Sequence, residues 1–364
     1  MKKISKHQLF VLVMMEQIGS TNLWALGIEA RQDAWLVILF SMLPGCALIW
    51  IFTELHRHFP NDNLAGLTTT LLGKAIGWPL AFLYVLLGLF NSTRNANEFT
   101  ELLNMTFLQR TPSSIVLLLF LITLVYISFL GVENFVRLTE IILPFMLILI
   151  SLIYVLILAS GRIDLQQLTP VLENGMMPVL KASYPTVVNF PFGMSLVLFQ
   201  FWHFANDQKS VRKVTLTAAI FAGIILTLTQ VTIITTLGVD LAAGSALPIL
   251  RVVKLISISD ILTNFDALGI FLIFIGGFYI TAVHMFSASM LLSTLFRIKD
   301  YRWFILPLAA FVFWYSGVYE PNYPFHVKFL PAQSWQQFVP LYDAAPILLL
   351  LIFWLKKYNA GISK

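Results

Sequence analysis

Charge is what this chain has least of. Lys, Arg, Asp and Glu make up 11% of its 364 residues, where soluble domains carry roughly 25%. So little charge cannot cover the surface of a water-soluble fold of this length. Cysteine is nearly missing too: Cys46 is alone. No disulfide can form within the chain, so its fold is independent of redox compartment. Cys46 sits in an apolar run and reads as a small buried hydrophobe. The chemistry-bearing motifs of soluble enzymes are also lacking. There is no Gly-rich phosphate loop, no Cys/His metal cluster and no G-x-S-x-G elbow. His56 and His58 are two apart in a polar stretch, the wrong spacing for a metal pair on one helix face. An enzyme is therefore the least expected class, and no metal, other cofactor or nucleic-acid partner is expected.

What is present is apolar. Hydrophobic residues make up 58% of the chain and the mean hydropathy is +0.83. A helix needs roughly 20 mainly apolar residues to cross the hydrocarbon core. Ten segments qualify, at about 8–28, 34–55, 78–104, 113–131, 139–159, 184–204, 212–238, 263–290, 301–319 and 338–357. They do not alternate with period two, which excludes a barrel and leaves helices. No stretch has the composition of a soluble domain. The expectation is an all-α integral membrane protein, one permease-like domain over residues 1–364. No cleavable signal is expected, because the first apolar segment holds Glu16 and Gln17 and lacks a small-residue cleavage site.

Summing alternate loops puts roughly two-thirds of the 23 Lys and Arg on the side of the N-terminus. This bias implies an even number of spans with both termini cytoplasmic. Residues 61–77 read as a short helix on the inner surface. Residues 165–182 read as a semi-polar cap on the outer face.

Two spans are interrupted. Gly19, Ser20, Thr21 and Asn22 break the first. Phe190, Pro191, Phe192 and Gly193 break the sixth, where Pro191 removes a backbone donor. One break alone reads as a kink. Two, in the first spans of two five-helix halves, point to an inverted repeat with a midplane site. The first repeat would run about 8–159 and the second about 184–357. Each break frees N–H groups that suit a carboxylate and C=O groups that suit an ammonium or a cation. A small zwitterion matches both.

Ionisable residues inside a span face the bundle interior or a cavity. Span three carries Asn91, Arg94, Glu98 and Glu101 at spacings that share one face. This face reads equally as the polar wall of an outward vestibule or as a packing pair, Arg94 with Glu98. Gln17 is a candidate to line the pocket, and Glu16 to face another helix or a proton path. Phe190 and Phe192 are candidates to close over a ligand. Thr229, Gln230 and the other polar residues of span seven read as interhelical hydrogen bonding. His284 reads as a packed, hydrogen-bonded residue, and Asp266 as one that snorkels to the interface.

Seven segments in order resemble one family, the B subunits of spore germinant receptors. They are "ISKHQL" at 4–9, "IGSTNLWALG" at 18–27, "ARQDAWLVIL" at 30–39, "LLGKAIGWPLAFLY" at 71–84, "QRTPSSIV" at 109–116, "LTPVLENGMMPVLKAS" at 168–183 and "FPFG" at 190–193. The resemblance implies membership of the amino acid–polyamine–organocation transporter superfamily, with its five-plus-five inverted repeat. It implies an inner-membrane location in the dormant spore. It further implies an A subunit and a lipoprotein C subunit as partners, and a small nutrient, often an amino acid, as ligand. Its pattern puts an acidic residue after "FPFG", where this chain has Met194, and an Arg–acid pair in span eight, where it has Asn264 and Phe265 before Asp266. The alternative reading is an ion- or proton-coupled amino acid transporter. An ion or water conduit shares the fold.

Overall fold

A computed structural model describes residues 3–106, 108–245, 247–255, 266–319 and 337–359. The first helix, α1, spans Lys6–Ile18. Ser5 caps it: its hydroxyl accepts from the Gln8 amide while the Gln8 side chain accepts from the Ser5 amide, a reciprocal capping box. α1 is 13 residues long, a rise of about 20 Å at 1.5 Å per residue, short of a membrane crossing. Its course continues through the first break as a 3-10 turn at Thr21–Leu23 and a second 3-10 stretch at Ile28–Asp33. The expected helix does not resume after Asn22. Gly27 turns the chain at φ 69°, and a Cβ there would lie 2.6 Å from Val37. Conformation and space both require glycine at that point.

α2 (Ala34–His58) and α3 (Leu64–Thr106) follow. His56 and His58 form the last turn of α2 instead of a loop. The short inner helix expected at 61–77 is joined end to end with span three, with a kink at Gly73 (φ 72°) as the boundary. Lys356 Nζ donates to the Leu71 carbonyl at 2.6 Å and so caps the piece before the kink. α4 (Ser113–Leu130) and α5 (Val132–Ala159) are separated by Gly131 alone. Span five therefore begins seven residues earlier than its apolar run.

The second break is preceded by α6 (Met177–Ala182). A π-helical stretch, Ser183–Phe192, leads into a 3-10 stretch, Gly193–Leu198, and α7 (Phe199–Trp202). Phe190 leaves helical geometry, with φ −117° and ψ 102°. α8 is Val211–Leu237. Two short helices, α9 (Val239–Ala243) and α10 (Pro248–Lys254), precede α11 (Asp266–Leu295). α12 (Arg302–Tyr319) and α13 (Ala345–Asn359) complete the bundle. Asn264 and Phe265 lie outside the described residues, as does the Asp266 side chain.

Among the described residues, eight helical stretches are long and apolar enough to cross a membrane. α1 falls short by length, as does the apolar stretch Arg302–Val318 within α12. Burial separates centre from rim: 89% of the apolar window of α11 is buried, against 33% for α4 and for α5. α11 packs along the length of α3, and α1 threads between α5, α8 and α11. The exposed Leu, Ile and Phe of α4 and α5 are the surface presented to acyl chains.

The 165–182 segment packs on the Ile28–Asp33 stretch, on the face opposite the N-terminus. The Asp33 carboxylate accepts the Leu172 amide at 3.0 and 3.1 Å, and Gln32 Nε2 donates to the Pro170 carbonyl at 3.0 Å. At the other face, Ile4 pairs with the chain after α7. Its amide donates to Phe204 O at 2.7 Å and its carbonyl accepts from Asn206 N at 2.9 Å. Lys6 joins Asp207 at 2.8 Å alongside.

Candidate functional site

The two breaks meet. Gln17, one turn before the first, donates through Nε2 to the Pro191 carbonyl at 3.4 Å and to Ser195 Oγ. Both acceptors exist because the sixth span is interrupted: Pro191 sits at the break, and Ser195 is in the 3-10 stretch after it. All three residues are buried. The segment Gly19–Asn22 then packs against α11. A Cβ on Gly276 would overlap the Gly19 carbonyl and lie 2.6 Å from its carbon and 2.9 Å from Ser20 N. Only a glycine lets the bare backbone of the break come this close.

Side chains hold the break from the other directions. Asn22 Nδ2 folds back to the Ile18 carbonyl at 2.9 Å, satisfying one orphan at the end of α1. Asn22 Oδ1 accepts from Thr229 Oγ1 at 3.0 Å, and Gln230 Nε2 donates to the Trp24 carbonyl at 2.7 Å. The polar residues of α8 thus act between helices. Ser20 Oγ approaches Asn95 Oδ1 of α3 at 3.5 Å. Tyr279 OH of α11 donates to the Leu12 carbonyl at 2.8 Å. His284 is buried, with Nδ1 3.0 Å from the Ile280 carbonyl.

Several buried polar atoms around the junction have no hydrogen-bond partner among the described residues. They are both carboxyl oxygens of Glu16, Gln17 Oε1, Thr21 Oγ1, Asn189 Oδ1 and Asp343 Oδ1. Each belongs to a residue at most 7% exposed. Buried polar atoms in native proteins are nearly all paired, so such a group signals a further partner such as a ligand or water. All six atoms can accept hydrogen bonds; Thr21 Oγ1 can also donate, as can the Glu16 carboxyl when protonated.

Asn91 and Arg94 meet residues near the chain's end. Asn91 Nδ2 donates to Tyr342 OH at 2.9 Å, and Arg94 lies within electrostatic reach of the same residue. Next to it, Asp343 Oδ2 accepts from Tyr184 OH at 3.0 Å and Asn189 Nδ2 at 3.2 Å. Glu98 is buried on the α3 face that carries Asn91 and Arg94. Phe190 is half-buried against the main core. Phe192 packs with Ile49 and Ala219 in a separate apolar cluster. A Cβ on Gly45 would sit 2.5 Å from the Phe192 ring and Cβ. Met194 is also buried in the core. A Cβ on Gly193 would collide with Asn189 Oδ1.

Asn91, Gln200, His284 and Tyr342 line a cavity of about 20 Å³, room for about one water. A larger cavity of about 460 Å³ lies off the breaks, bounded by Asn97, Glu101, Ser316 and Trp314. Sequence reasoning missed Ser195, Asn95, Asn189, Gly276, Tyr342 and Asp343. The Gly276–Gly277 pair in an apolar span was the one available signal, since glycine at that depth marks close approach. The others are ordinary polar residues whose role depends on a distant partner.

These features define a helical membrane protein of a transporter-like fold with two broken helices. The solved structures agree. The nucleobase-cation-symport-1 family transporter Mhp1, in a closed conformation with bromovinylhydantoin bound, superposes with a TM-score of 0.70. It is 12% identical, with 96% of this chain and 78% of that one covered. MhsT in complex with L-phenylalanine gives 0.65 at 15% identity, over 97% and 99%. A family model described as spore germination protein matches residues 3–324. The chain belongs to the spore germination protein family of permeases. It is 29% identical to spore germination protein KB of Bacillus subtilis, over 97% of this chain and 93% of that one. Spore germination protein XB of Bacillus anthracis is 25% identical over 69% of each chain.

Proposed function

We propose that the chain is the B subunit of a spore germinant receptor that binds a small nutrient, an amino acid by its chemistry, between the two breaks. The observation that carries this reading is the Gln17 bridge from the first break to Pro191 and Ser195. It makes one site of two interruptions that are far apart in sequence. In this reading the chain crosses the bilayer ten times as two inverted five-helix repeats, with α1 and its break forming the first span. The ligand's carboxylate meets freed N–H groups at the breaks. Its ammonium meets the buried acceptors on Glu16, Gln17, Thr21, Asn189 and Asp343. Asn91, Arg94 and Glu98 form the outer wall.

The protein then sits in the spore inner membrane with both termini cytoplasmic, beside an A subunit and a lipoprotein C subunit. Binding shifts a conformational equilibrium that these partners read. The family relationship supports the germination role, and the transporter-like neighbours support the small-molecule site. The neighbours also keep a second reading open, an ion- or proton-coupled amino acid transporter.

Two variants test the site. Gly193→Leu places bulk against Asn189 Oδ1, and Thr21→Leu puts an apolar group among the acceptors. Both are expected to abolish the germination response while the protein remains in the membrane. An unchanged germinant dose–response in both rejects the pocket. Concentrative uptake of labelled amino acid by the purified chain in liposomes rejects the receptor-only reading.

A further inference from the structure

The inner ends of α2 and α8 enclose a cavity of about 540 Å³, remote from the broken helices, with Arg57, Lys209 and Arg212 on its wall. One carboxylate, Glu54, pairs with both Arg57 and Arg212, and Lys209 adds a third cation to the wall. Arg212 is held in place, with Nε 3.3 Å from Thr53 Oγ1 and its guanidinium over the Trp50 ring at 5.1 Å. The N-terminus of α8, a helix of 27 residues, opens here, and its N-cap residue Ser210 makes no side-chain cap. Its dipole adds positive potential.

A second observation comes from His56, which lines the same cavity and is 1% exposed. Gln208 Nε2 donates to the Trp202 and Ala205 carbonyls, both at 3.0 Å. That fixes the amide, so Gln208 Oε1 accepts the His56 Nε2 hydrogen at 2.7 Å. His56 Nδ1 is left buried without a partner among the described residues. In the neutral ring it is an acceptor for one hydroxyl.

We propose that this cavity binds a phosphoryl anion that also carries a hydroxyl. The cations and the α8 terminus take the phosphoryl oxygens, and His56 Nδ1 takes the O–H. Two sources offer this chemistry: the phosphoglycerol headgroup of an anionic lipid, and free hydrogen phosphate. The cavity lies on the same face as the N-terminus, at the ends of two helices long enough to cross a membrane.

The test uses the purified full chain in nanodiscs of phosphatidylcholine. One arm adds phosphatidylglycerol to the discs, and the other adds inorganic phosphate to the buffer. Bound ligand is read by native mass spectrometry and by the shift in melting temperature. The double variant Arg57→Gln/Lys209→Gln changes exposed side chains and spares Glu54 and Arg212. It is expected to weaken binding about thirtyfold, the loss for removing two interfacial cations. A control variant, Lys299→Gln/Lys357→Gln, removes two cations elsewhere on that face and is expected to bind as the parent does. Loss in the lipid arm alone assigns the headgroup, and loss in the phosphate arm alone assigns the free anion. Either result supports the site. Equal loss in the control, or no loss in either arm, overturns it.

Discussion

Gly276 and Gly277 are neighbours on α11, and the structure separates their tolerances. A Cβ on Gly276 meets backbone: the Gly19 carbonyl, its carbon at 2.6 Å and Ser20 N at 2.9 Å. None of these is the end of a flexible side chain. The first break must move away from α11 by roughly 1 Å to restore van der Waals contact. Overpacking of this kind costs about 1–3 kcal/mol. A Cβ on Gly277 meets side chain instead, Phe99 Cδ2 at 3.2 Å and Cβ at 3.3 Å, and that side chain can shift by a few tenths of an ångström. At about 1.4 kcal/mol per factor of ten, Gly276→Ala biases the break by about 5- to 150-fold. Gly277→Ala is expected to stay within about threefold. The assay is the melting temperature of each purified variant, together with the germinant concentration giving half-maximal response in spores carrying it. Gly276→Ala should lower the first and displace the second, and Gly277→Ala should leave both near the parent. Equal behaviour of the two variants would refute the claim that Gly276 exists to admit the bare backbone of the break.

Three other outcomes follow from named contacts. Gln17→Leu removes the donor shared by Pro191 O and Ser195 Oγ and leaves buried acceptors bare, at a cost of about 1–3 kcal/mol. Its melting temperature should fall, whereas an unchanged value means the bridge is idle. The Lys6 ammonium beside Asp207 holds that carboxyl below its ordinary value of 3.8. A depressed carboxyl contributes stability above its unfolded value and loses it as pH falls through the folded one. The protection factor for hydrogen exchange at Ile4, which removes the intrinsic pH dependence of exchange, should therefore hold from pH 7 to about 4 and fall below that. Loosening already near pH 6 contradicts the assignment. Asp343→Asn weakens the acceptor for Tyr184 and Asn189. Faster hydrogen exchange over Pro340–Ala344 is expected, and unchanged exchange would show that these bonds do not anchor the last span.

Much of this was readable in advance because it is local. Hydropathy over a window of about 20 residues reflects what a segment does in a bilayer. Proline and glycine act on their own turn, so both breaks could be placed from composition. The same logic was misled at segment ends. α5 begins at Val132 because polar Glu133 and Arg137 pair on the helix surface at 2.8 Å, which hydropathy scores as loop. It was misled again beyond Asn22, where the apolar run promised helix. Thr229 and Gln230 hold that stretch in an irregular course by bonding to Asn22 and the Trp24 backbone.

The sequence by itself determined a helical membrane protein, two interrupted spans and, through seven ordered segments, a germination family. Those follow from the free energy of placing each segment in lipid and from backbone chemistry confined to a few residues. Only the tertiary structure decided how the breaks are used. It brought Gln17 to Pro191, set Gly276 against Gly19, and turned Phe192 into an apolar cluster with Ile49 and Ala219. It also delivered Tyr342 and Asp343, near the chain's end, to Asn91 and Asn189. Each of these pairs joins residues that are distant in the chain, and their meeting depends on how whole helices pack, a property no local window of sequence carries.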